Sequence, residues 1–120
     1  MSSRFSSLAL DALDVDAQAR FWTQALGYRF AEEFDGGISL APGDGVQGPP
    51  LDIIPVPESK TAKLRLHMDL VPYGCSQEEE VERLLALGAV RADVGQGPDV
   101  PWVVLADPEG NEFCVLAARD

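Results

Sequence analysis

The chain has 120 residues, 46% of them hydrophobic and 24% charged, an ordinary globular composition whose length fits a single domain, 1–120. Its 20 acidic residues against nine Lys and Arg give a formal charge of −11, which opposes the counterion release that drives binding to nucleic-acid phosphates. No run approaches the roughly 18 apolar residues of a membrane span, and Met1-Ser-Ser-Arg-Phe5 leads into no apolar stretch. A cytoplasmic protein is expected, with neither nucleic acid nor membrane as partner.

Residues Phe5 to Ala12 alternate as a strand, with Leu8 and Leu10 on one face. Asp14 can cap a helix over Val15 to Leu26, whose Phe21, Trp22, Ala25 and Leu26 recur at helical spacing, and Gly27 suits a left-handed terminator. Phe21 and Trp22 are therefore core. Three short strands follow, Tyr28 to Glu33, Gly37 to Ala41 and Leu51 to Val56, separated by Asp35-Gly-Gly and by the Gly/Pro-rich run 42–50.

After a polar linker over Glu58 to Lys63, Leu64, Leu66, Met68 and Leu70 alternate with Arg65, His67 and Asp69, the pattern of a half-buried strand. Ser76-Gln-Glu-Glu79 is a capping box, in which the hydroxyl accepts from the helix's third amide while the glutamate reaches back to the cap's own. The helix it opens buries Val81, Leu84 and Leu85 and ends at Gly88. The acidic run Glu78 to Glu80, with Glu82, suits the positive end of the helix dipole. Ala89 to Asp93, Trp102 to Ala106 and Glu112 to Ala117 complete three more strands, with a Gly95-to-Pro101 loop and an Asp107-Pro-Glu-Gly-Asn111 turn between them. Neither Gly43 to Gly48 nor Gly95-Gln-Gly97-Pro98 forms a phosphate-cradling motif. The element order has repeated, so two βαβββ modules are expected, over 5–57 and 64–118.

That duplicated order, with Phe21-Trp22 in the first helix, Leu84-Leu-Ala-Leu-Gly-Ala89 closing the second and Asp107-Pro-Glu-Gly-Asn-Glu-Phe113 between the last strands, resembles the vicinal-oxygen-chelate superfamily, the glyoxalase, bleomycin-resistance and dioxygenase-like proteins. The resemblance covers nearly the whole chain. It implies an α+β fold in which the modules form a curved, cup-shaped mixed sheet with helices on the convex side, and it implies a homodimer. By strand parity, Leu64, Leu66, Met68 and Leu70 would face the helices, and Arg65, His67 and Asp69 the cup.

The resemblance further implies His, Gln or Glu metal ligands on the first and last strands of each module. Counting from the motifs, these positions fall on Ser7, His67, Cys114 and Ile54, with Asp52 two residues before Ile54 on the same face. Serine is a poor ligand and a thiolate suits zinc better than magnesium or manganese. The set falls short of the three ligands usual in catalytic sites, so no complete catalytic metal centre and no cofactor are expected; His67, Cys114 and Asp52 are the donors if an ion is held.

His67 is the only histidine, and Asp69 beside it on a strand face could orient it for general acid–base work; a solvated polar face is the bland alternative. Trp102 could stack on a planar ligand or close core. Cys114 could serve as a nucleophile beside His67, although a buried strand cysteine is commoner. Cys75 and Cys114 lack the spacing of a disulfide framework or zinc cluster and are expected as thiols. The expectation is a small-molecule-binding protein whose pocket draws on Ser7, Asp52, Ile54, Arg65, His67, Asp69, Trp102, Glu112 and Cys114. Two alternatives stay open: a metal-dependent lyase, isomerase or dioxygenase, and a drug-sequestering resistance protein.

Overall fold

The computed structural model describes residues 1–93 and 99–119, so the Gly95 to Pro98 part of the expected loop lies outside the described residues. The chain divides into two compact units, Met1–Ser59 and Lys60–Asp120, at the polar linker. Each is a βαβββ module, giving an α+β fold of two helices and two open four-stranded mixed sheets.

In the first unit, β1 (Leu8–Ala12) leads to α1 (Val15–Leu26), then β2 (Tyr28–Phe34), β3 (Gly37–Pro42) and β4 (Leu51–Pro55), in the sheet order β1-β4-β3-β2. The Asp14 carboxylate caps α1 by accepting from the amide of Ala17 at 3.0 Å, and Gly27 ends it with φ of 69°. Apolar positions at helical spacing bury Ala19, Phe21, Trp22 and Ala25, with Phe21 and Trp22 edge-to-face at 5.0 Å. This stripe lies against the sheet, whose buried partners include Leu40, Leu51 and Ile53. Gly37 allows the close approach of β3 to β4, because a Cβ there would come within 2.6 Å of the Ile53 carbonyl oxygen.

A bulge in β2 decides what the other face carries. Phe30 pairs with Leu40, but Glu32 pairs with Ser39 and Phe34 with Gly37. Regular alternation would put Glu32 on the same face as Phe30; the inserted residue moves Glu32 to the opposite face. Ser39 in turn pairs with Asp52, so Glu32, Ser39 and Asp52 form one row across three strands.

The second unit repeats the plan with β5 (Asp69–Leu70), α2 (Gln77–Leu87), β6 (Val90–Arg91), β7 (Val103–Ala106) and β8 (Glu112–Val115), in the order β5-β8-β7-β6. Both arms of the Ser76–Glu79 capping box form, at 3.1 and 2.9 Å. These bonds hold the Glu79 carboxyl below its ordinary pKa, the Ser76 amide first and its hydroxyl second. Val81 and Leu84 are buried on α2, and Leu105, Phe113 and Val115 on the strands. The Asp107–Asn111 turn is closed by the buried Asp107 carboxylate, which accepts from the amides of Glu109 and Asn111 and from the Asn111 side chain, each at 2.9 Å. Gly110, with φ of 89°, completes it. This motif, one of those that carry the family resemblance, is thus a hydrogen-bonded structural turn.

Three strands are shorter than the alternation predicts by three residues or more. β1 begins at Leu8, leaving Phe5 exposed, and β6 has two residues. The larger correction concerns residues 64–70: only Asp69 and Leu70 are strand, residues 65–66 form a bend, and Leu66 is 75% exposed, so it does not face a helix. In the Asp69–Cys114 register residues 64–66 fall opposite the turn that precedes β8, so no strand lies beside them, and the Leu64 amide donates to the Glu112 carboxylate at 3.0 Å. Among the described residues no helix is long and apolar enough to cross a membrane.

Candidate functional site

Parallel pairing of the first and last strands sets up equivalent positions in both units. Ala9 pairs with Asp52 across β1 and β4, and Asp69 with Cys114 across β5 and β8. Two residues before each first-strand partner stand Ser7 and His67. By this internal register Asp52, not Ile54, is the counterpart of Cys114, and Ser7 is the counterpart of His67. The same backbone frame therefore presents two different donor sets.

In the first unit the set closes on itself. The Ser7 hydroxyl donates to Asp52 Oδ2 at 3.0 Å, and the pair lines a pocket of about 360 Å³ with Ser6, Glu32, Phe34, Ser39 and Pro50. Two carboxylates, three hydroxyls and one aromatic ring thus meet in a concave surface. The alternation of β2 gave no sign of Glu32 or Phe34, because the bulge overturns it. Ile54 is half-buried on β4 and does not line this pocket.

In the second unit His67 Nδ1 lies 3.3 Å from Asp69 Oδ1, and ligating atoms of His67, Asp69 and Cys114 all fall within 4.8 Å of one another. Cys114 is buried, whereas His67 and Asp69 are exposed. Burial pushes the Cys114 thiol above its ordinary pKa, and the charge and hydrogen bond of Asp69 push the same way, with only Lys63 opposing. A thiol so held is poorly suited to act as a nucleophile, which requires the thiolate.

The other anticipated residues are dispersed within this unit. Arg65 is exposed in the bend before His67, and Trp102 precedes β7, 37% exposed. Glu112 accepts from Lys60 Nζ at 3.0 Å through one oxygen and from the Leu64 amide through the other. Burial alone would raise its pKa, but the Leu64 amide and the Lys60 ammonium outweigh it and lower the value. Its role is to anchor the segment leading to His67. Gln77 at the start of α2 ties the residue before β7 to the end of β8, donating to the carbonyls of Pro101 and Val115 at 2.9 and 3.0 Å.

The donor chemistry can be matched to an ion. Imidazole, carboxylate and thiolate fit a borderline cation such as zinc, while the thiolate does not suit magnesium or manganese. Such an ion, if bound, would supply Lewis-acid chemistry between His67, Asp69 and Cys114.

Duplicated βαβββ modules with polar groups at the paired ends of the first and last strands place the protein in the vicinal-oxygen-chelate superfamily. Within it, the chain belongs to the glyoxalase-like domain family, which it matches over residues 7–116. Several solved structures share the fold. FosX from Listeria monocytogenes, a genomically encoded fosfomycin resistance protein complexed with Mn(II) and sulfate, is 17% identical with a TM-score of 0.73, covering 99% of this chain and 93% of that one. A glyoxalase/bleomycin resistance protein/dioxygenase family enzyme from Burkholderia phytofirmans PsJN is 19% identical with a TM-score of 0.67, covering 92% and 94%. The hypothetical protein SA1046 from S. aureus is 16% identical with a TM-score of 0.70, covering 98% and 96%. No curated protein matches the chain significantly.

Proposed function

We propose that this protein binds a small, basic organic molecule in the pocket of its first unit, and that it does so without the complete ligand set implied for metal-using relatives. The observation that carries this reading is the Ser7–Asp52 pair inside a pocket that also exposes Glu32 and Phe34. Two carboxylates attract a cation, Phe34 offers a ring face for it, and the formal charge of −11 draws cations from a distance.

The drug-sequestering reading follows from the same lining, with a cationic aromatic compound as cargo. The enzymatic reading, a lyase, isomerase or dioxygenase, draws on the His67–Asp69 pair. A cytoplasmic homodimer is the setting we propose for either. Size-exclusion chromatography with light scattering tests that assembly, and a monomer at micromolar concentration would remove it.

Binding is tested by calorimetry with matched cationic and neutral aromatic amines and alcohols. Cationic compounds should bind more tightly at low salt, and Asp52→Asn together with Glu32→Gln should weaken them by about tenfold, the scale of one lost charge-assisted contact. Equal binding of cationic and neutral members, with no salt dependence, would remove this reading.

A further inference from the structure

We propose that the first-unit pocket selects a linear diammonium ligand, a short methylene chain with a primary ammonium at each end, held by Asp52 at one end and by Glu32 at the other. This rests on the reading of the pocket as a site for a small basic molecule, and it names the class of that molecule.

Strand register carries the argument. Glu32 pairs with Ser39 and Ser39 with Asp52, so the two carboxylates belong to β2 and β4 with one strand between them. Neighbouring strands lie about 4.8 Å apart and side chains stand roughly perpendicular to the sheet, which separates the two positions by about 10 Å. An ammonium touches a carboxylate oxygen at about 2.8 Å, so one cation cannot serve both. None of the described residues that line the pocket is basic. A dication therefore neutralises both carboxylates, whereas a monocation leaves one unmatched. The bulge that moves Glu32 into this row is what creates the second cation position.

Hydrogen bonding sets the kind of cation. The Ser7 hydroxyl spends its proton on Asp52 Oδ2, so its oxygen has only lone pairs left to offer a ligand. The Pro50 carbonyl already accepts from the Leu8 amide at 2.9 Å. The Ser7–Asp52 pair thus presents acceptors and no side-chain donor, which suits the N–H bonds of a primary ammonium and gives a quaternary one nothing to bond.

Apolar walls define the spacer. β2 and β4 both run antiparallel to β3, hence parallel to each other. Phe34 follows Glu32 by two residues and Pro50 precedes Asp52 by two, so they stand on opposite sides of the Glu32–Ser39–Asp52 row. A methylene chain laid along that row has an apolar ring on either flank, and the Phe34 face attracts the ammonium at Glu32. Each nitrogen sits inward of its carboxylate, so the two lie roughly 5–8 Å apart, the span of about four to six methylenes.

The test titrates the full chain by calorimetry, at low salt and neutral pH, with unbranched α,ω-diamines of increasing length and with the n-alkylamine of each length. Affinity should peak at about five carbons and there exceed that of the matched monoamine by at least about tenfold. Glu32 is exposed on β2, so Glu32→Gln keeps the core. That variant should erase the advantage, costing the diamine at least about fivefold more than the monoamine, while Asp52→Asn should weaken both. Diamines methylated to the quaternary state should bind no better than the monoamine. Indifference to chain length, equal losses of diamine and monoamine in Glu32→Gln, or quaternary diamines bound as tightly as primary ones would each overturn the proposal. Monoamine binding with no diamine advantage at any length overturns it while sparing the basic-ligand reading. Failure of every ammonium compound to bind removes both.

Discussion

The two units share strand order and parallel pairing, yet the equivalent positions have different chemistry: Ser7 and Asp52 in one, His67 and Cys114 in the other. The first pair satisfies itself through a hydrogen bond, while the second gathers Asp69 into a cluster of three donors. One frame therefore carries a Ser7–Asp52 pocket in one copy and a His67–Asp69–Cys114 donor cluster in the other. Ladder geometry decides where side chains meet, and side-chain identity decides what the meeting can do.

Core substitutions probe the shared frame most strongly. Ile53 and Val115 occupy the same register, one residue beyond Asp52 and Cys114, and both are fully buried. Ile53→Ala should cost about 3–4 kcal/mol in chemical denaturation and Val115→Ala about 2 kcal/mol, through lost transfer energy and the cavity left behind. If either were nearly neutral, the two positions would not be playing the same structural role.

A smaller effect is expected at Glu112, whose register counterpart in the first unit, Pro50, carries no carboxylate. Replacing it by glutamine removes the charged acceptor for Lys60 and weakens that for the Leu64 amide, and should cost about 1–2 kcal/mol at neutral pH. Its folded pKa lies below the unfolded value, so its stabilisation is present above the unfolded pKa and is lost as pH falls through the folded one. Urea midpoints measured from neutral to acidic pH should therefore fall less steeply for Glu112→Gln than for the natural chain. Parallel curves would show that the carboxylate is not differentially stabilised by folding.

Helix caps should give the smallest effects and the closest agreement between units. Asp14→Ala and Ser76→Ala should each lower stability by about 1 kcal/mol in thermal or urea unfolding. The loss should be somewhat greater for Ser76, whose box also engages Glu79. A negligible change at Ser76 would mean that water replaces the box without loss.

Much of this architecture is written locally. Asp14 and Gly27, or Ser76 and Gly88, bracket helices because their side chains and backbone freedom act within one turn of the chain. Asp107, Gly110 and Asn111 close their turn for the same reason. The repetition of those signals exposed two modules and, through them, the family. Alternation was enough for β3 and β4 but failed at residues 64–68, where the Glu112 side chain, distant in sequence, takes the Leu64 amide.

Sequence by itself determined the two-module fold, the helix boundaries and the singling out of Ser7, Asp52, His67, Asp69 and Cys114, because caps, turns and apolar periods are short-range. Tertiary structure alone decided which of them meet. Pairing across parallel strands set Asp69 against Cys114, and the bulge in β2 brought Glu32 and Phe34 to the pocket face. Register between distant strands is a cooperative choice of the whole sheet, made by burial on one face and inherited by whatever chemistry stands on the other.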